Sequence, residues 1–164
     1  VGALSECRVL LRFFGLPQTI CWGRDALASY KSSGDESKSV ELVQIASMLV
    51  YYPMEHIYYL SGKGLFRVSG RDGLSRWSCR AWFLYIALDV LLLYRRHKDS
   101  LFVFDSNKEE TSKELVKARL KLIAILADMP LALTWSLSSG FLSDYQIGIL
   151  GTISSIAGII NSTI

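Results

Sequence analysis

The chain has 164 residues, a net charge of +3 and a hydrophobic fraction of 51%. This length predicts a single domain, and the hydrophobic fraction exceeds the roughly 45 to 50% typical of soluble proteins. A mildly basic part beside an apolar part suits an anionic membrane surface better than nucleic acid, which would favour a clustered basic face. The three cysteines, Cys7, Cys21 and Cys79, lack metal-ligand spacing, so we expect reduced thiols facing the cytosol and no zinc site.

The first segment, Ala3 to Phe14, is a candidate amphipathic helix that Gly15 and Pro17 should end. Its apolar residues recur at helical spacing: Leu4, Cys7, Leu11 and Phe14. Its polar residues share another face: Ser5, Arg8 and Arg12. Packing in a soluble core and insertion into a membrane produce the same pattern, so both explanations stay open. We expect no secretory signal, and Val1 in place of Met predicts that the natural N-terminus is missing.

The middle of the chain predicts helices separated by polar loops. After a bridging segment that contains Trp22, Lys31 to Glu36 reads as a loop, and a helix should follow from about Ser37 to Leu60. Pro53 falls inside this helix and should kink it or split it in two. Ser61 to Ser78 contains four glycines and is expected to form a flexible basic loop.

The next apolar segment, Ala81 to Tyr94, contains one charged residue, Asp89. About 14 residues are short for a transmembrane helix, and basic residues lie at both ends. We therefore favour a buried or interfacial helix over a membrane span. Asp99 to Ser112 is expected to form a second polar loop.

The C-terminal part contains almost no charge. All 18 basic residues lie at or before Lys121, and only Asp128 and Asp144 follow among the 15 acids. Tyr145 to Ile164 is uncharged, and about 20 helical residues match a hydrocarbon core of about 30 Å. We therefore predict an all-α fold, a membrane-associated helical bundle with a C-terminal transmembrane hairpin.

Local signals define this hairpin. Capping boxes announce its two helices: Ser106 with Glu109, Thr111 with Glu114, and Ser143 with Gln146. The first helix begins with basic residues on one face, which are expected to contact lipid headgroups: Lys113, Lys117 and Lys121. It continues through Leu122 to Leu137, where Pro130 should kink it, and Ser138 to Gly140 should form the turn. Small residues on the second helix predict close packing with another helix: Gly148, Gly151 and Gly158.

The residues that could support chemistry are few. Four ionisable residues lie in strongly apolar surroundings: Glu55, His56, Asp89 and Asp128. Pairing with a basic residue inside a helical bundle explains such acids better than a transport role, and Asp128 is also placed to satisfy backbone groups freed at Pro130. His56 and His97 belong to no nucleophile and base motif, and there is no nucleotide, metal or flavin signature. We expect neither an enzyme nor a cofactor.

Four stretches of the chain resemble the peroxisomal biogenesis factor 11 family, whose members elongate and divide peroxisomes. These are LSECRVLLRFFGL at 4–16, YYPMEH at 51–56, ADMPLAL at 127–133 with Trp135 and Ser136, and GILGTISS at 148–155. They follow the family order over nearly the whole chain. Together with Gly140-Phe141 and Ser143-Asp144, they are similar to a fungal-type member.

The resemblance implies an integral membrane protein of the peroxisome with both termini in the cytosol. It implies that an amphipathic helix within Leu4 to Phe14 lies in the cytosolic leaflet and drives tubulation, with Leu4, Leu11 and Phe14 inserted and Arg8 and Arg12 at the headgroups. Insertion to a depth of about 5 to 10 Å expands one leaflet and favours curvature. The expected partners are lipids, further copies of the chain and the peroxisome fission machinery.

We predict one domain with three parts: a membrane-surface region (1–30), a helical region with the Pro53 kink (37–98), and a basic helix with the transmembrane hairpin (112–164). A pore or transporter for small metabolites, with Asp89 and Asp128 in its path, is the second hypothesis. A soluble helical scaffold, in which the tail is core, is the third.

Overall fold

The computed structural model describes residue 10 and residues 12–33, 36–97 and 109–164, and all regular structure in these ranges is helical. Within these ranges five helices are bounded, and they follow one another in chain order. Their bounds are α1 Gly15–Ser33, α2 Glu36–Gly62, α3 Arg71–His97, α4 Glu109–Ser136 and α5 Asp144–Thr163. The expected all-α fold is confirmed.

Helix α1 occupies the region for which we predicted a bridging segment, so that prediction is wrong. Pro17 does not end a helix here but lies in the first turn of α1. Proline is tolerated there, because the first backbone N–H groups of a helix have no intrahelical acceptor. Gly15 lets α1 approach α2, since a Cβ at this position would lie 2.5 Å from Tyr52 Oη.

Helix α2 is continuous through Pro53, so of the two predicted outcomes, a kink or a split, the split does not occur. The following loop is shorter than expected, because α3 begins at Arg71 instead of about Ala81. Residues 63–70 form the connection, and Gly64 and Gly70 supply its two positive φ angles, 80° and 74°. Glycine tolerates this left-handed backbone without steric penalty.

Helices α4 and α5 follow each other in the chain and pack together. The bend at residues 137–139 joins them, and the Ser143 and Gln146 capping box at the start of α5 is present as predicted. Pro130 lies within a continuous α4. The capping box predicted at Thr111 is wrong, because α4 already begins at Glu109, whereas Ser106 lies outside the described residues.

Within the described residues, each helix packs only against its neighbours in chain order, α1 on α2, α2 on α3, α3 on α4 and α4 on α5. The best-buried cluster lies between α3 and α4 and comprises Ile86, Leu93, Ala118, Ile125 and Ala132. No large described side chain is fully buried. The described helices therefore form an open array whose best-buried apolar core is at the α3 and α4 interface.

Substitution at the centre of this core tests the packing. Ala132 is 0% exposed, so Ala132→Leu should force α3 and α4 apart and lower the free energy of unfolding by about 1 to 3 kcal/mol. Denaturation of the detergent-solubilised chain followed by circular dichroism measures the change. Ala46→Leu adds the same atoms at an exposed position of α2 and should have little effect. Equal stability of the two variants would contradict the described interface.

Candidate membrane-contacting surface

Helix α5 carries a continuous stripe of exposed apolar side chains on one face. Successive members are three or four residues apart, as expected for one side of a helix. They are Tyr145, Ile149, Ile153, Ile156, Ile160 and Ile164, and each is at least 40% exposed. The buried Ala157, four residues after Ile153, lies at the edge of this stripe, and α5 packs on α4.

Helix α4 has a similar exposed stripe. Its members, again at helical spacing, are Val116, Ile123, Leu126 and Leu133, and Leu137 follows at the end of the helix. From Leu122 onward, where the chain has no basic residue, both α4 and α5 therefore expose apolar side chains. Soluble monomers rarely expose connected apolar patches of more than a few hundred Å². Such a surface is typical of contact with a membrane or another protein.

Helices α2 and α3 extend the exposed apolar surface. On α3, Trp77, Leu84 and Leu91 lie two helical turns apart, and on α2, Val43, Val50 and Ile57 share the same spacing. In the described part of the chain, one helical segment, Arg71–Arg96, is long and apolar enough to cross a membrane by length and composition. That segment belongs to α3, so this criterion does not confirm the predicted transmembrane hairpin in the tail.

The predicted membrane-inserting segment lies largely outside the described residues. Leu4, Arg8 and Leu11 are among the residues not described. Phe14 is described and is 76% exposed. The structure therefore leaves this one ring available for contact with an apolar phase.

Arg12, predicted to face lipid headgroups, has partners within the protein. Its guanidinium forms an ion pair with Glu55 and donates a second hydrogen bond to Tyr51 Oη at 2.9 Å. The side chains of Arg12 and Glu55 are 34% and 13% exposed. Breaking such a partly buried pair leaves an uncompensated charge, so this contact fixes the end of the amphipathic segment on α2.

His56 lies beside this ion pair. Its ring stacks on Phe13 with the centroids 3.8 Å apart. His56 Nε2 and Glu55 Oε2 are buried and find no hydrogen-bond partner in the described part of the chain. The two residues that the sequence singled out around Pro53 thus take part in one cluster that holds Arg12 and Phe13.

The two acids of the apolar helices lie in different surroundings. Asp89 on α3 accepts a hydrogen bond from Lys121 Nζ on α4 at 2.8 Å, and this ion pair joins the two helices of the core. Asp128 on α4 is within hydrogen-bonding reach of the Ser154 side chain on α5. Each acid therefore links neighbouring helices.

The predicted basic face of α4 divides into two groups. Lys113 and Lys117 are exposed, whereas Lys121 pairs with Asp89. Lys117 and Lys121 line a cavity of about 470 Å³ to which all five helices contribute, and Lys113 does not. Residues of all five described helices therefore line this one cavity, and only part of the basic face of α4 belongs to it.

The glycines predicted to pack against a helix have open space around them. A Cβ added at Gly148, Gly151 or Gly158 would meet no atom within 4 Å. No helix of the described chain occupies this space. Their role in packing therefore stays a prediction, and the helix packed against them would belong to another molecule.

Sequence reasoning missed several aromatic and polar residues between helices. Trp82 stacks between Tyr51 and Trp135, with centroid distances of 6.4 and 5.9 Å, and so connects α2, α3 and α4. Buried Gln44 donates to the Tyr85 carbonyl oxygen across α2 and α3 at 3.4 Å. Gln44 could have been found, because a polar residue in an apolar stretch of a helix needs a hydrogen-bond partner. The aromatic residues carry no sequence signal that identifies their partners.

The described residues contain no group of three or more histidine, cysteine, aspartate or glutamate residues that could hold a metal ion. The functional surface of the described chain is therefore best characterised by its exposed apolar stripes and its polar cavity. Neither feature resembles a catalytic site built around a nucleophile and a base.

Comparison with known proteins identifies the family. Residues 3–162 match the family model of Peroxisomal biogenesis factor 11 (PEX11). An uncharacterized protein of Schizosaccharomyces pombe is 33% identical over 159 residues, which cover 95% of this chain and 71% of the relative. No solved structure matches the chain. Because the family match covers nearly the whole sequence, the chain belongs to the peroxisomal biogenesis factor 11 family.

Proposed function

We propose that the chain is an integral membrane protein of the peroxisome that remodels and elongates the membrane and promotes its division. Membership of the peroxisomal biogenesis factor 11 family supports a role in peroxisome biogenesis and association with that organelle. The family is one of biogenesis factors, not of enzymes. The observation that carries the membrane part of the proposal is the exposed apolar surface of α4 and α5.

The α4 and α5 hairpin lies in the bilayer in this proposal, with α3 beside it. Three features support this placement: the absence of basic residues after Lys121, the exposed stripe from Ile149 to Ile164, and the length of α5. Twenty helical residues at 1.5 Å each extend about 30 Å, the thickness of a typical hydrocarbon core. Backbone groups in lipid must be satisfied within the segment, and a helix meets this requirement.

The cytosolic side of the membrane is placed at the start of α4. Basic residues from three helices gather at this end of the array: Lys38 on α2, Arg95 and Arg96 on α3, and Lys113 and Lys117 on α4. Anionic lipid attracts such side chains by about 1 kcal/mol each near the surface. In this proposal the hairpin enters from the cytosol at α4 and returns to it through α5.

The amphipathic segment, Leu4 to Phe14, acts as the membrane wedge. The exposed ring of Phe14 supports this assignment, and the ion pair of Arg12 with Glu55 anchors the segment to α2. An anchored wedge transmits its insertion to the embedded helices instead of moving independently of them. Leu4, Leu11 and Phe14 enter the acyl region, whereas Arg8 stays at the headgroups.

Self-assembly concentrates these wedges. The open space beside Gly148, Gly151 and Gly158 supports this step, because small residues let the backbones of two helices approach closely in lipid. The partner helix in this proposal is α5 of a second copy. Recruitment of the peroxisome fission machinery to such an assembly completes the proposed function.

Charges on the exposed stripe test the embedding of α5. Ile153→Asp with Ile156→Asp places two carboxylates in the hydrocarbon core, at about 2.5 to 3.5 kcal/mol each. The wild-type chain should stay in the membrane pellet after alkaline carbonate extraction, and the double variant should lose that retention. Ser138→Asp with Ser139→Asp adds the same charges in the exposed bend and serves as the control. Release of the wild-type chain by carbonate would contradict the proposed hairpin.

Charges in the amphipathic segment test the wedge. Leu11→Asp and Phe14→Asp, each in the full chain, should abolish elongation of peroxisomes in fungal cells, because a charged side chain opposes insertion into the acyl region. Gln18→Asp, at an exposed position of α1, should leave elongation intact. The length of peroxisomes by fluorescence microscopy is the measurement. Normal elongation with either segment variant at wild-type abundance would remove the wedge from the proposal.

A further inference from the structure

The polar cavity of about 470 Å³ lies at one end of the helical array. The beginnings of α2 and α4 and the ends of α3 and α5 meet there, and Trp22 of α1 forms a further part of the lining. Four basic side chains line it: Lys38, Arg96, Lys117 and Lys121. Three acids accompany them: Glu41, Asp89 and Glu114. The lining therefore has a formal net charge of +1.

Four of these seven charges are paired with one another. Lys38 Nζ lies 3.1 Å from Glu41 Oε2, and Lys121 Nζ lies 2.8 Å from Asp89 Oδ1. Glu41 also accepts a hydrogen bond from Trp22 Nε1 at 2.8 Å. Burial acts to raise the pKa of Glu41, but the hydrogen bonds donated by Trp22 and Lys38 offset burial and lower the pKa below its ordinary value. Both acids of these pairs are therefore occupied within the protein.

The remaining charges are Arg96, Lys117 and Glu114. Within the described ranges, Arg96 and Lys117 form no ion pair. They approach the cavity from different helices, α3 and α4, and Glu114 limits their combined charge to +1. A ligand with a single negative charge matches this set, whereas a polyphosphate would bring several uncompensated charges.

Asn161 adds a neutral polar group to the same cavity. Its Oδ1 is buried and has no hydrogen-bond partner in the part of the chain that the structure describes. A buried acceptor without a donor is unfavourable, because it has lost its hydrogen bonds to water. A ligand hydroxyl group would supply the donor.

Apolar side chains also line this cavity. They include Leu92, Leu93 and Ala118. The hydrocarbon part of a ligand can therefore contact them while its charged group meets the basic side chains. This combination of polar and apolar lining is complementary to an amphiphile.

We propose that the cavity binds a singly charged phosphate diester that carries a hydroxyl group. Arg96 and Lys117 contact its phosphate oxygens, and Asn161 Oδ1 accepts from its hydroxyl. The planar guanidinium of arginine is suited to two parallel hydrogen bonds to phosphate, and lysine binds it as a point charge. The diester is the headgroup of a membrane lipid or a soluble glycerophosphodiester. The proposal does not depend on membrane remodelling by the chain.

Three probes distinguish the sources in titrations of the full chain solubilised in a maltoside detergent. Glycerophosphoglycerol carries the diester and hydroxyls without acyl chains. Dihexanoyl phosphatidylglycerol adds short chains, and dihexanoylglycerol has the chains without phosphate. Isothermal titration calorimetry should detect saturable binding of the short-chain lipid. Equal affinity for the soluble diester would show that the headgroup suffices, whereas tighter binding of the lipid would identify the lipid source.

Matched neutral variants locate the contact. Arg96→Gln and Lys117→Gln should each weaken binding about tenfold, the loss expected for one hydrogen bond to a charged group. Arg95→Gln and Lys113→Gln are the controls, since both residues are exposed on the same helices but do not line the cavity. The controls should keep the wild-type affinity. Helicity by circular dichroism should be the same in all four variants.

Several results would overturn the proposal. Binding of dihexanoylglycerol as tight as that of the phospholipid would assign the affinity to the acyl chains alone. Equal losses in all four variants would indicate diffuse attraction instead of a site. Absence of binding by both phosphate probes would exclude the ligand class. Failure of membrane retention or of elongation, with this binding intact, would instead concern only the proposed remodelling function.

Discussion

Packing only against neighbours in chain order limits how much apolar surface this protein buries. Each described helix contacts at most two of the others, and α1 and α5 contact one each. Apolar residues on the remaining circumference stay exposed, as they do in the stripes of α4 and α5. In water this arrangement would be unfavourable, because each exposed Å² of apolar surface forgoes about 25 cal/mol. In lipid the same surface would contact acyl chains that are equally apolar.

Polar contacts then determine which helices stay together. Without a hydrophobic drive in lipid, helices associate through close packing and hydrogen bonds. Lys121 with Asp89 joins α4 to α3. At the opposite end, Arg12 with Glu55 holds the start of the described chain on α2. These contacts connect the membrane-surface segment to the proposed hairpin through the intervening helices.

Local sequence signals predicted much of this fold because their causes are local. The helical periodicity of α2, the bend before Phe141 and the Ser143 capping box depend on residues a few positions apart, and all were predicted. Helix α1 was missed because proline breaks a helix when it lies in the interior but is tolerated in the first turn, where Pro17 lies. The start of α3 was missed because the glycines around it indicate a loop that extends to Gly73. The helix nevertheless begins at Arg71 and includes Gly73.

The partners of the buried charges could not be predicted from local patterns. Arg12 and Glu55 are 43 positions apart, and Lys121 and Asp89 are 32 positions apart. The sequence identified each acid as one that needs a partner, but only the arrangement of helices selects the partner. The cavity likewise depends on five helices meeting, so Lys117 and Lys113 look equivalent in sequence and occupy different sites in the structure.

Contact of the α5 stripe with lipid is the central claim, and spin-label accessibility measures it most directly. Single nitroxides at Ile149, Ile153 or Ile156 would be introduced into a chain without its three native cysteines and reconstituted in liposomes. We expect collisions with oxygen, which concentrates in the bilayer, to exceed collisions with a water-soluble nickel chelate at all three positions. At Ser154, which faces α4, both collision rates should be low. Faster collisions with the nickel chelate along the whole stripe would contradict the account.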